Sequence, residues 1–310
     1  MSNIHTLTVS EFTEILGATN IPPAAQQIIQ SQDLRYQLLT PDQRDRTILD
    51  ILQKLDNKTF SQVGQHRQGI WESAWSEYLN NFSQQDFDLD TLIPRFISAN
   101  PIIRLKQDYV QALDAKFELN FFRAMRVYLF QAFLGEYDHI YEFGCGSGYN
   151  LIDLANLYPD RRIYGLDWAE AAVQIANLMG SNKGLPVEGR QFDFFNPDYG
   201  LEVPANSAFF TMCALEQIGD RYEAMLQFIL DKKPALCLNM EPLEELYDQA
   251  KLVDYMAYKY HSFRGYLSGY LTRLQALAAD SQIEILHSQR VKFGSLYHEG
   301  YSFVVWKPKF

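Results

Sequence analysis

Apolar residues along this chain recur at two spacings, and the change from one to the other divides it. Up to about residue 134 they fall mostly three and four apart, the spacing of one helical face, with no strand pattern. Thr8 with Glu11 reads as a capping box. Thr40-Pro41-Asp42-Gln43 repeats it with proline at the first helical position, and the helix it opens places Ile48, Ile51, Leu52 and Leu55 on one face. Asn20-Ile21-Pro22-Pro23 is a connector. Trp71, Trp75, Tyr78, Leu79 and Phe82 share a helical face, and aromatics so spaced are usually core, so packing is favoured over substrate contact. From Asn100 through Arg126 to Leu134 the chain reads as one long helix crowded with Tyr and Phe. The expectation for residues 1–134 is an all-helical cap.

From residue 135 short continuous apolar runs alternate with helical stretches, the pattern of a parallel sheet buried on both faces. Ile140-Tyr141-Glu142-Phe143 is a strand that runs into Gly144-Cys145-Gly146-Ser147-Gly148; a helix follows until Pro159, and a second strand, 162–166, ends in Asp167. A helix over 169–179 stops at Gly180. Further strands are expected at 187–192, ending in Asp193-Phe194, at 207–212, followed by Cys213-Ala214-Leu215-Glu216-Gln217, and at 235–240. Helices from Glu241-Pro242 to about His261 and from Tyr266 to Ala279 exceed what one crossover needs, which marks about 242–279 as a helical insertion. Strands at 283–291 and 301–307 close the chain.

Composition narrows the partners. A net charge of −11 argues against a nucleic-acid substrate, because such binding relies on clustered Lys and Arg. Cys145, Cys213 and Cys237 show no CxxC spacing, and no HxH or HExxH occurs, so neither a disulfide framework nor a metal site is indicated. With no basic-then-apolar leader and no apolar run of about 18 residues, the expectation is a cytoplasmic protein without a membrane segment. Oligomeric state is not encoded in these patterns.

The unit from His139 to Asp167 is strand, glycine turn, helix, strand, acid: half of a nucleotide-binding sheet. Its glycines let a ligand lie against the main chain, and its acid stands where ribose hydroxyls are accepted. Either NAD or S-adenosylmethionine (SAM) satisfies that description, and charge separates them. A pyrophosphate wants the positive end of a helix, whereas SAM brings an ammonium and a sulfonium. Glu142 beside the loop suits the cation, and the spacing is GxGxG, not GxGxxG.

Glu142-Phe143-Gly144-Cys145-Gly146-Ser147-Gly148 resembles the first motif of class I SAM-dependent methyltransferases of the bacterial small-molecule type, and Leu166-Asp167-Trp168 resembles their ribose-binding acid and its neighbour. The resemblance runs from about residue 134 to the end. It implies an α/β, Rossmann-like seven-stranded mostly parallel sheet, its last strand antiparallel, with helices on both faces. It implies SAM as cofactor, S-adenosylhomocysteine (SAH) as product, and a cofactor site of Glu142, Gly144, Cys145, Gly146, Gly148, Asp167, Trp168, Asp193, Phe194 and Cys213. In that site Asp193 takes the adenine amino group, Phe194 packs on the base, and the segment at Cys213 lines the methionine part. A turn-forming role for Asp193 is the alternative. The NPPY-type motif of base and glutamine methylation is absent.

Methyl transfer needs alignment and, for a hydroxyl or ammonium acceptor, a base. His261 is a candidate, with Tyr258 and Arg264 on the same helical face and Tyr266 just beyond. His298 near Glu299 and Glu216 are others, although capping the following turn competes for Glu216. Tyr258, His261, Arg264 and Tyr266 form the candidate acceptor set. Arg104, Arg123 and Arg126 suit an anion, or a nearby acid. The function expected is methylation of oxygen or nitrogen of a small metabolite, such as a specialised natural product. Alternatives are a peptide acceptor with a terminal carboxylate or amine, a non-catalytic SAM-binding scaffold, and an NAD-dependent oxidoreductase.

Overall fold

A computed structural model describes residues 4–95, 97 and 101–309. Its strands, in chain order, are β1 (Ile4–Thr6), β2 (Arg35–Leu38), β3 (Ile102–Leu105), β4 (Asp108–Ala112), β5 (His139–Phe143), β6 (Arg162–Asp167), β7 (Val187–Gln191), β8 (Ser207–Met212), β9 (Leu236–Met240), β10 (Ile283–Gln289), β11 (Phe293–Gly294) and β12 (Phe303–Pro308). Its helices are α1 (Val9–Ile15), α2 (Pro23–Ser31), α3 (Pro41–Asp56), α4 (Gln68–Gln84), α5 (Phe117–Phe133), α6 (Tyr149–Leu157), α7 (Glu170–Lys183), α8 (Glu223–Lys232), α9 (Leu252–Arg264) and α10 (Tyr270–Ala279).

The central sheet has seven strands in the order β10-β12-β9-β8-β5-β6-β7. β12 runs antiparallel to both neighbours, and the other pairings are parallel, as expected. The order reverses between β5 and β8, and a ligand crevice forms beyond the carboxyl ends of strands at such a point. β8 is buried at every residue, with Ala208, Phe210 and Met212 in one core and Phe209 in the other. Both faces are therefore covered, one by α8 and α10, the other by α6, α7 and the N-terminal third.

Both capping boxes form, at Thr8–Glu11 and Thr40–Gln43, and Ile48, Ile51 and Leu55 are buried as their spacing requires. The all-helical cap does not. A second, five-stranded antiparallel sheet in the order β1-β2-β4-β3-β11 runs through the N-terminal third. The long helix from residue 100 is instead the hairpin β3–β4 followed by α5, and Asn100 itself lies outside the described residues. β-branched Ile102, Ile103 and Val110 favour the strand, and Leu105 pairs with Asp108 around a two-residue turn. Lys106 and Gln107 take φ of 53° and 68° there, positions where Asn and Gly are usual, so the turn carries no legible signal.

α5 has twelve buried residues and is buried nearly all round, as a helix held between layers must be, with Glu118, Asn120 and Arg126 among them. Phe121 stacks on Phe293 at 3.7 Å, and Phe130 meets Phe210 edge-on at 5.5 Å. Two boundaries also move. α7 passes through Gly180 and ends at Gly184, with φ of 65°; a Cβ on Gly180 would stand 2.5 Å from the Val187 carbonyl, so that glycine serves close packing and not a cap. No long helix starts at Pro242: a short 3₁₀ turn, Glu244–Leu246, precedes α9, and α10 starts at Tyr270.

Candidate active site

A cavity of about 480 Å³ opens beyond the carboxyl ends of β5, β6, β7 and β8, where strand order reverses. Its floor is Gly144, Cys145 and Gly146 after β5, Asp167 at the tip of β6 with Trp168 after it, Phe192 and Phe194 after β7, and Cys213, Ala214, Glu216, Gln217 and Ile218 after β8. Trp71 and Trp75 of α4 and Glu118 and Phe122 of α5 cover it. Tyr260, Arg264, Tyr266 and the loop from Ser295 to Tyr301 complete the wall.

The glycine turn is required by backbone and by neighbours. Gly144, Gly146 and Gly148 have φ of 79°, 53° and 73°, a region costly for other residues. A Cβ on Gly144 would fall 2.5 Å from Ala214 Cβ, and one on Gly146 would fall 2.7 Å from the Trp75 ring. One on Gly148 would meet Met179 at 2.7 Å, and Gly148 does not reach the cavity. The aromatic stripe of α4 thus divides its duties. Tyr78 and Phe82 are core, while Trp71 and Trp75, stacked at 5.5 Å, both pack and line the site.

Asp167 faces the cavity, its carboxylate accepting from the Gly146 and Ala169 amides at 2.9 Å each. Burial pushes this carboxyl up to about 6. Glu142 is also buried, but off the cavity wall. It accepts from Asn150 Nδ2 at 2.6 Å, while Asn150 Oδ1 accepts from Arg126 at 2.7 Å, and burial pushes the Glu142 carboxyl up to about 8. Asp193 accepts from the Phe195 amide at 2.9 Å in a tight turn and does not line the cavity, whereas Phe194 does. Cys213 lines it in a left-handed conformation, φ of 55°, with its Sγ 3.5 Å from the Gly300 carbonyl.

Glu216 is not a turn cap. Glu241, expected only as the start of a helix, accepts from the amides of Ala214, Leu215 and Glu216 at 3.1 Å each and so shapes the turn after β8. That frees the Glu216 side chain to line the cavity, where among the described residues it accepts only from Gln217 Nε2 at 2.8 Å. Burial, then the nearby Glu241, pushes Glu216 up to about 8. His298 lines the cavity, and its Nδ1 lies 3.0 Å from His261 Nε2 behind it. Burial, with Arg104 and Arg264 nearby, pulls His298 down to about 3, so the ring is neutral at neutral pH; burial and His298 pull His261 well down too.

Tyr258 is half-buried and off the wall, while Tyr260, two residues on, is on it. The helical face shared by Tyr258, His261 and Arg264 therefore meets the cavity only through Arg264. Arg104, Arg123 and Arg126 are spent on acids: Arg123 and Arg126 on Asp153, Arg104 on Asp254 and Glu299. No helix among the described residues is long and apolar enough to cross a membrane.

A glycine-lined turn at the switch point of a mostly parallel sheet, with an acid at the tip of the next strand, defines a Rossmann-like cofactor-binding domain. Residues 140–230 match the family model described as a methyltransferase domain, a span that holds the glycine turn, Asp167 and Glu216. Residues 140–230 therefore carry a methyltransferase domain. Among solved structures it resembles the [4+2]-cyclase SpnF at 13% identity, covering 80% of this chain and 97% of that one, with a TM-score of 0.51. That likeness concerns the fold, which hosts more than one chemistry. An N,N-8-amino-8-demethyl-D-riboflavin dimethyltransferase (RosA) from Streptomyces davawensis is 16% identical over 63% of this chain, with a TM-score of 0.41. An O-methyltransferase from neocarzinostatin biosynthesis (NcsB1), solved with SAM and a naphthoic acid, is 18% identical over 62%, with a TM-score of 0.41. The chain spans 58% of the length of each of these two. No curated protein matches it.

Proposed function

We propose that the protein transfers the methyl group of SAM to an oxygen or nitrogen of a small metabolite held between residues 1–134, acting as a cap, and the SAM domain, residues 135–310. The observation that carries this reading is one continuous cavity of about 480 Å³ bounded by the glycine turn and Asp167 and by Glu216, Tyr266 and His298. The residues at the strand tips fit SAM. Gly144 and Gly146 leave the main chain bare on the cavity side, the Asp167 carboxylate stands where ribose hydroxyls are accepted, and the Phe194 ring offers a face for the base. When bound, SAM supplies an electrophilic methyl carbon on sulfur and leaves as SAH.

The protein's own part is alignment and proton removal. Glu216, with its carboxyl near the working pH, takes the proton that a hydroxyl loses as its lone pair bonds to the methyl carbon, or the proton that an ammonium must lose before its nitrogen has a lone pair to attack with. Neutral His298, backed by His261, orients the acceptor by a hydrogen bond. Walls from α4, α5 and the 295–301 loop favour a small molecule over a peptide. Incubating the protein with methyl-labelled SAM and fractions of a source extract should label a compound of low mass, and calorimetry should detect SAH. Absence of SAM and SAH binding at millimolar concentration would reject the reading.

A further inference from the structure

Two guanidiniums line the acceptor side of the cavity with less negative charge around them than they need. Arg67 precedes α4 and Arg264 ends α9, so they reach the site from opposite parts of the chain. Arg67 donates to Gln217 Oε1 at 3.3 Å and lies 5.1 Å above the Trp71 ring. Arg264 lies 4.8 Å above the Tyr266 ring, and among the described residues its guanidinium has no hydrogen-bond or ion-pair partner. Nε of both is buried without a partner. Burial and the charge of Arg264 hold Arg67 below its ordinary pKa, so the two cations feel each other.

The nearby carboxyls do not neutralise the pair. Asp167 is held by backbone amides and Glu118 by the Tyr301 hydroxyl at 2.7 Å, which leaves Glu216 as the acid facing the arginines. Even ionised, it brings one negative charge to two positive ones. Both side chains are half-buried, a buried Nε–H left without a partner is costly, and a carboxylate satisfies the planar guanidinium fork better than water does. The remaining wall is flat and aromatic, with Tyr260 stacked on Tyr297 at 5.1 Å and Tyr266 stacked on His298 at 5.6 Å.

We propose that the methyl acceptor is a planar small molecule bearing a carboxylate, and that this carboxylate sits between Arg67 and Arg264. The inference rests on the methyltransferase reading and specifies its substrate class. The carboxylate of SAM's methionine part has the same chemistry, so the test separates the two sources.

Calorimetry on the full chain saturated with SAH, with 1-naphthoate and its neutral isostere 1-naphthamide as probes, reads the anion preference. The wild type should bind the acid at least about tenfold tighter than the amide, the scale of one charge-assisted hydrogen bond. Arg67→Gln and Arg264→Gln should each lower that preference while SAH affinity stays within about twofold. Equal binding of acid and amide by the wild type overturns the proposal whether or not the variants fold. So does a large loss of SAH affinity in Arg264→Gln with the acid preference intact, which assigns the arginines to the cofactor. Failure of the wild type to bind SAH at all would instead strike the methyltransferase reading.

Discussion

Replacing Glu241 by Gln tests how the turn after β8 is held. The Glu241 carboxyl is buried and accepts from three consecutive amides at 3.1 Å, so an amide side chain, with a single acceptor oxygen, must leave at least one of them unsatisfied. At low pH the variant should be the less stable form, by about 1–3 kcal/mol. Burial pushes Glu241 up to about 7 from an ordinary value of 4.5. A carboxyl raised on folding lends stability that is complete below the unfolded value and is lost as pH rises through the folded one. Gln cannot ionise and escapes that loss. Between pH 5.5 and 7.5 the deficit of the variant should therefore shrink by about 2 kcal/mol, from 1.36 kcal/mol per pH unit over the interval in which the native acid still binds its proton. Urea denaturation of both proteins at the two pH values measures it; Glu142 and Asp167 cancel in the comparison, and Glu216, which Glu241 also pushes up, adds to the shrinkage. A deficit that stays constant or widens would mean that the three amides keep Glu241 ionised throughout, and the burial argument would be wrong.

Two further substitutions address the site directly. Asp167→Asn replaces a charged acceptor facing the cavity, so SAH affinity should fall by about 1.5–3 kcal/mol, or roughly ten- to a hundredfold; unchanged calorimetric affinity would remove Asp167 from the ribose site. Glu216→Gln should lower turnover by about 10²–10⁴-fold and abolish the rise of kcat/KM through about pH 8 expected of a base with that pKa, with SAH affinity unchanged. A variant that keeps the wild-type pH profile would return the proton to another group.

Most of the parallel sheet was legible because β5, β6, β8 and β9 are short apolar runs bounded by turn residues, and burial on both faces leaves no competing pattern; β7, Val187-Glu188-Gly189-Arg190-Gln191 at the sheet edge, lacks that signal. The N-terminal sheet was not. Its first four strands are three to five residues long, and β1 and β2 keep exposed positions. Its one hairpin turns on Lys106 and Gln107 in place of Asn and Gly, and its fifth strand, β11, is two residues contributed from nearly two hundred positions away. Register across such a distance is decided by packing, here Phe121 and Phe117 against Phe293, and not by local spacing. The same distance hid half of the acceptor wall. Arg67 and Arg264, or Glu118 and Tyr301, have no motif in common and meet only through the fold.

The choice of SAM over a dinucleotide was argued from Glu142, and the geometry supports that choice through other residues. Glu142 is turned to Asn150, away from any ligand. A pyrophosphate would need the bare amides of the glycine turn and a helix N-terminus. The Gly146 amide is already held by Asp167, and the first amides of α7, those of Glu170 and Ala171, are capped by the Glu72 carboxylate from α4 at 2.7 and 3.1 Å. The Asp167 carboxylate thus takes a donor of the glycine turn that a pyrophosphate would seek, while the Glu72 carboxylate closes the helix after β6, beside the ribose-binding position. Phosphate is disfavoured here by Asp167 at the tip of the second strand and not by Glu142, so the motif points toward a cationic ligand for a reason that the folded chain replaces.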